Sequence, residues 1–113
     1  MKTISNFIYE SDGIIDSWRV LKGPEKRGDC DDYAITTIYE NENRVVIPIL
    51  SGKYKLHFVR TSDGGKHVVL QCGNLYIDNI TQKWVTKDKL PYDFVMTFPR
   101  AIILIKLLLG RIK

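Results

Sequence analysis

The chain has too few cysteines for a disulfide scaffold and no apolar run long enough to cross a bilayer. Only two of its 113 residues are cysteines, whereas small secreted scaffolds carry several disulfide pairs. A transmembrane helix needs about 20 consecutive apolar residues, and no segment reaches that length. The composition, 44% hydrophobic and 27% charged, also differs from that of disordered chains. We therefore expect a single domain that spans residues 1–113.

Three further patterns are missing: an export signal, a basic stripe and metal-ligand spacing. Residues 1–10 lack the apolar block of a signal peptide, so we expect a cytoplasmic protein. The net charge is +4, but the densest basic cluster, Lys22 to Arg27, is interrupted by glycine, proline and glutamate. We therefore do not expect a nucleic-acid partner. The two cysteines and two histidines show neither Cys-x-x-Cys nor His-x-x-His spacing, so we expect no metal and no cofactor.

The N-terminal half carries the pattern of two helices. Apolar residues recur at the spacing of one helical face between Asp12 and Lys22. A second helix is predicted from Asp29, a suitable N-cap, to about Asn41–Asn43. Cys30 then lies in the first turn, where free N–H groups favour a thiolate. A helix terminus contributes only about 0.3–1 kcal/mol, less than one pKa unit, and neighbouring aspartates oppose ionisation. A cationic partner is therefore required.

After Arg44, β-branched and aromatic residues predict strands separated by turns. Val45 to Leu50 contains Pro48 and is predicted to be an edge or bulged strand. The other predicted strands are a half-buried one over Tyr54 to Val59, a hairpin of His67 to Gln71 with Leu75 to Ile80, and a last one within Pro91 to Phe98.

The predicted hairpin brings His67 close to Asp78 in either of two registers. If the turn centres on 72–73, the two residues lie opposite each other. If it centres on 73–74, Asp78 faces Val69 and is a diagonal neighbour of His67 on the same face. In both registers the carboxylate can reach the imidazole and orient it, as in a nucleophile, base and orienter triad.

Three segments, in this order, resemble motifs of the bacterial transglutaminase-like cysteine peptidases. Arg27-Gly28-Asp29-Cys30-Asp31-Asp32-Tyr33-Ala34 resembles their nucleophile motif, His67-Val68-Val69-Leu70 their histidine strand, and Leu75-Tyr76-Ile77-Asp78-Asn79-Ile80 their aspartate strand. The likeness covers roughly Trp18 to Phe94. It implies a papain-like, transglutaminase-core α+β fold in which the nucleophile helix packs on an antiparallel sheet. Cys30 would be the nucleophile, His67 the general base and Asp78 its orienter.

The resemblance implies a cysteine-dependent peptidase or amidase that forms an acyl-enzyme on a protein or peptide substrate. A transamidase, or a hydrolase of peptidoglycan cross-peptides, would use the same site, because the residues do not specify the acyl acceptor. A catalytically silent binding module of the same fold is the alternative from another class. The short chain resembles versions found in phage genomes, so we expect a phage-encoded protein that acts in the bacterial host.

The site residues also have purely structural interpretations. Cys30 can be a small apolar residue at the end of a buried helical stripe, and Asn79 can replace Asp78 as the orienter. The Trp18 indole is a candidate oxyanion donor beside the Cys30 N–H, although core packing also explains it. Cys72 is interpreted as a structural residue of the hairpin turn.

The proline and the apolar run of the C-terminal segment predict a short helix at about 99–110 that is apolar nearly all round. Three interpretations remain open: docking into the core, an interface with a protein partner or second copy, and shallow membrane contact aided by Arg100, Lys106, Arg111 and Lys113.

Overall fold

The computed structural model describes residues 2–9, 20–21 and 26–112, without the side chains of Arg27 and residues 109–112. The helix predicted between Asp12 and Lys22, with Trp18, falls almost wholly outside these residues. The described elements are β1 (Phe7–Tyr9), β2 (Lys26–Gly28), α1 (Cys30–Glu42), α2 (Val46–Leu50), β3 (Tyr54–Arg60), β4 (Lys66–Cys72), β5 (Leu75–Ile77), a short 3-10 helix (Lys87–Lys89), β6 (Asp93–Thr97) and α3 (Arg100–Ile112).

The described elements form an α+β fold built on a four-stranded antiparallel sheet. The strand order is β5-β4-β3-β6, and β1 pairs with β2 in a separate parallel ribbon. The main core lies between this sheet and the helices, and α1, α2 and α3 contribute Ile38, Ile49 and Ile103 to it. The predicted antiparallel sheet and C-terminal helix are both observed, and the helix extends from Arg100 to Ile112.

The sheet is covered on both faces, so the half-buried prediction for β3 is wrong. Leu56 points into the main core, whereas Val59 joins a second cluster on the opposite face with Val69 and Leu90. The chain between β5 and β6 supplies Leu90 and folds over this face. A long connection of this kind leaves no periodic signal in the strand that it covers.

The segment predicted as an edge strand, Val45 to Leu50, is the helix α2. Pro48 occupies its third position, in the first turn, where a backbone N–H has no partner inside the helix. The missing donor therefore costs little there, although it would break a ladder bond in a strand. The strand predicted from Leu75 to Ile80 ends at Ile77, because a turn follows in which the Gln82 N–H donates to the Asp78 carbonyl at 2.8 Å.

The helix α1 begins and ends close to where the sequence predicts. Asp29 is the N-cap and accepts the Asp32 N–H at 3.3 Å, while the Asp32 carboxylate accepts the Asp29 N–H at 3.4 Å. This reciprocal pair is a capping box. Asn43 ends the helix in a left-handed conformation with φ 59°, which asparagine tolerates better than most residues. The cap holds the start of α1, and so Cys30, in a defined position.

No helix within the described part of the chain is both long and apolar enough to cross a bilayer.

Leu56→Ala tests the double-sided core. Leu56 is fully buried, whereas Leu50 is 46% exposed, so the same truncation can be compared at two levels of burial. We expect Leu56→Ala to lower the free energy of unfolding by about 2–5 kcal/mol, because it removes buried methyl groups and leaves a cavity. Leu50→Ala should change it by less than about 1 kcal/mol. Urea unfolding measures both, and equal losses would contradict the assigned burial.

Candidate active site

The capping box places the Cys30 thiol at the N-terminus of α1, against strand β4. Cys30 is the first helical residue and is partly exposed. The backbone N–H groups of Val68 and of Cys30 itself are directed at the sulfur closely enough to lower its pKa. Strand β5 pairs with β4 only between Leu70 and Cys72, so the Val68 N–H is left for the sulfur. The thiol therefore lies beside the backbone of Val68, the residue that follows His67.

His67 and Asp78 form a buried pair at the same end of β4. The His67 Nε2 lies 2.8 Å from the Asp78 Oδ2, and both side chains are buried. The hairpin pairs Leu70 with Ile77, which is the register centred on 73–74. Asp78 therefore follows the strand as a diagonal neighbour of His67. Asn79, the alternative orienter, does not make this contact: its Oδ1 is buried without a partner among the described residues.

Two residues that the sequence analysis did not identify hold the Asp78 carboxylate. Its Oδ1 accepts the Thr81 N–H at 2.7 Å and also the Thr81 hydroxyl. The Tyr92 hydroxyl hydrogen-bonds to the same carboxylate, and the Tyr92 ring packs edge-on to the His67 ring at 5.2 Å between centroids. Thr81 had a detectable signal, since a threonine three residues after an aspartate fits a local turn. Tyr92 had none, because only the tertiary fold brings it here.

These hydrogen bonds keep Asp78 ionised. Burial alone would raise its pKa, but the hydrogen bonds from His67, Thr81 and Tyr92 outweigh burial and hold the pKa below its ordinary value of 3.8. An ionised carboxylate only accepts hydrogen bonds, so the Nε2 of His67 must carry the proton that it shares with Asp78. In a neutral imidazole this leaves Nδ1 as the basic nitrogen.

The Cys30 thiol is not activated in the resting structure. Burial raises its pKa from 9.0 to about 12, and the negative charges of Asp29 and Asp32 add to this effect, against the two backbone hydrogen bonds. No hydrogen bond joins the sulfur to the His67 ring among the described side chains. Alternation along β4 places His67 on the face of Val69, opposite that of Val68. Cys30 packs against the main core that contains Val68, whereas the His67 ring contacts Tyr92 of the second cluster.

Tyr33 adds a buried hydroxyl near the pair. It lies one turn after Cys30, is fully buried, and its hydroxyl has no hydrogen-bond partner in the described part of the chain. Burial and the negative charge of Asp78 raise its pKa to about 12. The hydroxyl is therefore neutral at physiological pH and lies close enough to sense the ionised carboxylate.

The three aspartates of the nucleophile motif have a structural function. Carboxylate oxygens of Asp29, Asp31 and Asp32 lie within 4.8 Å of one another. Two of these residues form the capping box, and the Asp31 Oδ1 accepts the Asp32 N–H at 2.9 Å. A Cβ added to Gly28 would lie 2.7 Å from the Asp32 Oδ2. The motif thus requires glycine here because the cap leaves no room for a side chain.

The other histidine and cysteine belong to separate surroundings. His57 lies in β3, with Nε2 at 2.6 Å from the Gln71 Oε1 and Nδ1 at 2.9 Å from the Thr97 Oγ1. Burial lowers its pKa, and both ring nitrogens are engaged. Cys72 is the last residue of β4, not a turn residue, and both cysteines are free thiols.

Comparisons of the chain with protein-family models, with curated proteins and with solved structures returned no match. The candidate site is therefore interpreted from its own geometry.

Tyr92→Phe tests whether the tyrosine hydroxyl stabilises ionised Asp78. We expect the free energy of unfolding to fall by about 2 kcal/mol near pH 7, as for other hydrogen bonds to charged groups. The depressed pKa of Asp78 contributes stability above its ordinary value of 3.8, and this contribution is lost as the pH falls through the folded-state pKa. The difference between wild type and variant should therefore shrink below about pH 4, measured by urea unfolding across the pH range.

Tyr76→Phe is the matched control, because Tyr76 packs in the same second cluster but makes no contact with Asp78 that lowers the carboxyl pKa. Its effect should not vary with pH in this range. A Tyr92→Phe loss that is the same at pH 7 and pH 3 would show that the hydroxyl does not act on the charged carboxylate.

Proposed function

We propose that the protein is a cysteine-dependent hydrolase, a peptidase or amidase, in which Cys30 is the nucleophile, His67 the general base and Asp78 the orienter. The observation that carries the proposal is the buried His67–Asp78 pair at 2.8 Å, with the Cys30 sulfur beside the backbone N–H of Val68, the next residue along the strand, which lowers the pKa of the thiol. A buried ionised carboxylate costs desolvation free energy, so a function that needs Asp78 in this position is a better explanation than stability alone.

The tautomer supports the assignment of roles. With Nε2 engaged by Asp78, Nδ1 is the nitrogen that can take the thiol proton. Because the pKa of Cys30 is about 12, the thiol is protonated at rest. The proton would therefore move to His67 as the sulfur attacks, and not in advance. This order requires the imidazole to approach the sulfur when substrate binds, since catalytic contacts tighten in the enzyme–substrate complex.

The reaction then follows general acyl-transfer chemistry. The Cys30 sulfur bonds to the carbonyl carbon of an amide, and His67 takes the thiol proton. The Cys30 N–H is a donor for the developing oxyanion. Collapse breaks the C–N bond, His67 returns the proton to the amine, and a thioester remains on Cys30. Water, activated by the same histidine, releases the acid. An amine in place of water would give transamidation, and peptidoglycan cross-peptides remain open as substrates.

The positions of α1 and β4 support a papain-like fold, and we include this fold in the proposal. In such enzymes the nucleophile lies at a helix N-terminus and the base on the adjacent antiparallel sheet. Helix α1 and strand β4 stand in this relation. The chain order Cys30, His67, Asp78 is also the order of the motifs that the sequence resembles.

A second function, a catalytically silent binding module, is favoured by a specific observation. The thiol has a raised pKa and no hydrogen bond to His67 among the described residues, as expected for an inert buried cysteine. In this case the His67–Asp78 pair would only stabilise the fold.

Covalent labelling distinguishes the two functions. We expect a peptidyl vinyl sulfone to modify Cys30, detected by intact mass and peptide mapping, because His67 can deprotonate the thiol during attack. His67→Ala should slow the modification by about 100-fold or more, the usual contribution of a general base. Cys72→Ala is the matched control and should leave the rate unchanged. Circular dichroism confirms that each variant is folded.

Labelling of Cys30 and Cys72 at equal rates, with no effect of His67→Ala, would reject the hydrolase and leave the binding module.

A further inference from the structure

Helix α3 is apolar on two opposite sides. Ile103 is 2% exposed and packs in the main core, with Leu107 partly buried one turn later. The opposite side carries Ile102, Ile105 and Leu108 at 41%, 55% and 59% exposure. A helix that covers a core usually turns polar residues outward. This outer face, defined by Ile102, Ile105 and Leu108, is therefore not explained by packing within the chain.

The positive charge of the protein is concentrated in the same segment. Residues 99–113 contain Arg100, Lys106, Arg111 and Lys113 and no acidic residue. The whole chain has 17 basic and 13 acidic side chains. Without these four, 13 basic residues face 13 acidic ones, so the rest of the chain is formally neutral. The formal net charge of +4 therefore equals the charge of this C-terminal segment, and three of its four basic residues, Arg100, Lys106 and Arg111, belong to α3.

The two described cations flank the docked side of α3. At 100° per residue, Arg100 and Lys106 lie about 60° from Ile103, on opposite sides of the helix. Both residues therefore flank the docked side of the helix, and the Arg100 guanidinium extends over Gly52, where an added Cβ would lie 3.3 Å from it. Long basic side chains in such positions can reach phosphate groups while neighbouring apolar residues enter the boundary between headgroups and acyl chains.

Helix α2, the neighbour of α3, also exposes apolar residues. It packs against α3, has no charged residue, and exposes Ile47 and Leu50 at 54% and 46%. The exposed apolar residues of the two neighbouring helices belong to the same part of the fold.

We propose that α3 docks the protein on an anionic lipid surface, with its outer face in the interfacial region and its cations at the phosphate groups. Charge complementarity selects this occupant. A second copy would bring two helices of formal charge +3 against each other, which like-charge repulsion opposes. A membrane rich in anionic lipid attracts the same charges, at about fivefold in affinity for each basic residue near the surface. The inference is independent of the chemistry proposed for Cys30.

Sedimentation with lipid vesicles tests the proposal on the full chain. We expect binding to vesicles of phosphatidylglycerol and phosphatidylcholine, much weaker binding to phosphatidylcholine alone, and weakening by high salt because exposed charges are screened. Lys106→Gln should lower the affinity about fivefold, whereas Lys83→Gln, its matched control outside the segment, should not. Ile105→Ser should lower the affinity about tenfold, because it removes buried apolar area.

Ile80→Ser is the control for Ile105→Ser, since Ile80 is 61% exposed but lies away from α3 in the sequence. Circular dichroism and urea unfolding show whether the variants keep the fold. No sedimentation with anionic vesicles would overturn the proposal. A dimer in gel filtration that Ile105→Ser converts to monomer, without vesicle binding by the wild type, would assign the face to a second copy.

Discussion

The buried contact between His67 and Asp78 is the constraint on which the rest of the site depends. A carboxylate with 1% exposure is tolerated only if hydrogen bonds replace the water that it has lost. Asp78 obtains them from three parts of the fold: His67 on β4, Thr81 in the turn after β5, and Tyr92 just before β6. Removing the carboxylate would therefore unsettle the histidine, the turn and the connection over the second face together.

The chemistry at Cys30 is a balance between the helix terminus and its surroundings. The N–H groups of Val68 and Cys30 favour the thiolate, whereas burial and the neighbouring aspartates oppose it more strongly, which gives a pKa of about 12. The same aspartates hold the cap that positions the cysteine. A structural requirement of the helix start thus works against ionisation, and the proposed catalysis depends on a base that acts during attack.

The two proposals concern different parts of the protein, a partly buried thiol site and an exposed helix face. The proposed nucleophile lies where the first turn of α1 meets the edge of β4, among buried carboxylates. Helix α3 combines exposed aliphatic residues with three basic residues and no acidic one. A hydrolase held on an anionic surface would meet substrates confined to that surface at a higher effective concentration.

The sequence by itself determined what depends on neighbours along the chain. Asp29 and Asn43 mark the ends of α1 through local capping. Both registers considered for the hairpin bring Asp78 close to His67, and the observed one pairs Leu70 with Ile77. Tertiary structure decided what depends on distant residues. Contacts between distant segments set the hairpin register and cover the second face of β3. They also accompany a helix around Pro48 and place Tyr92 beside Asp78. Local sequence patterns do not indicate such contacts, because the free energy that stabilises them comes from burial between segments far apart in the chain.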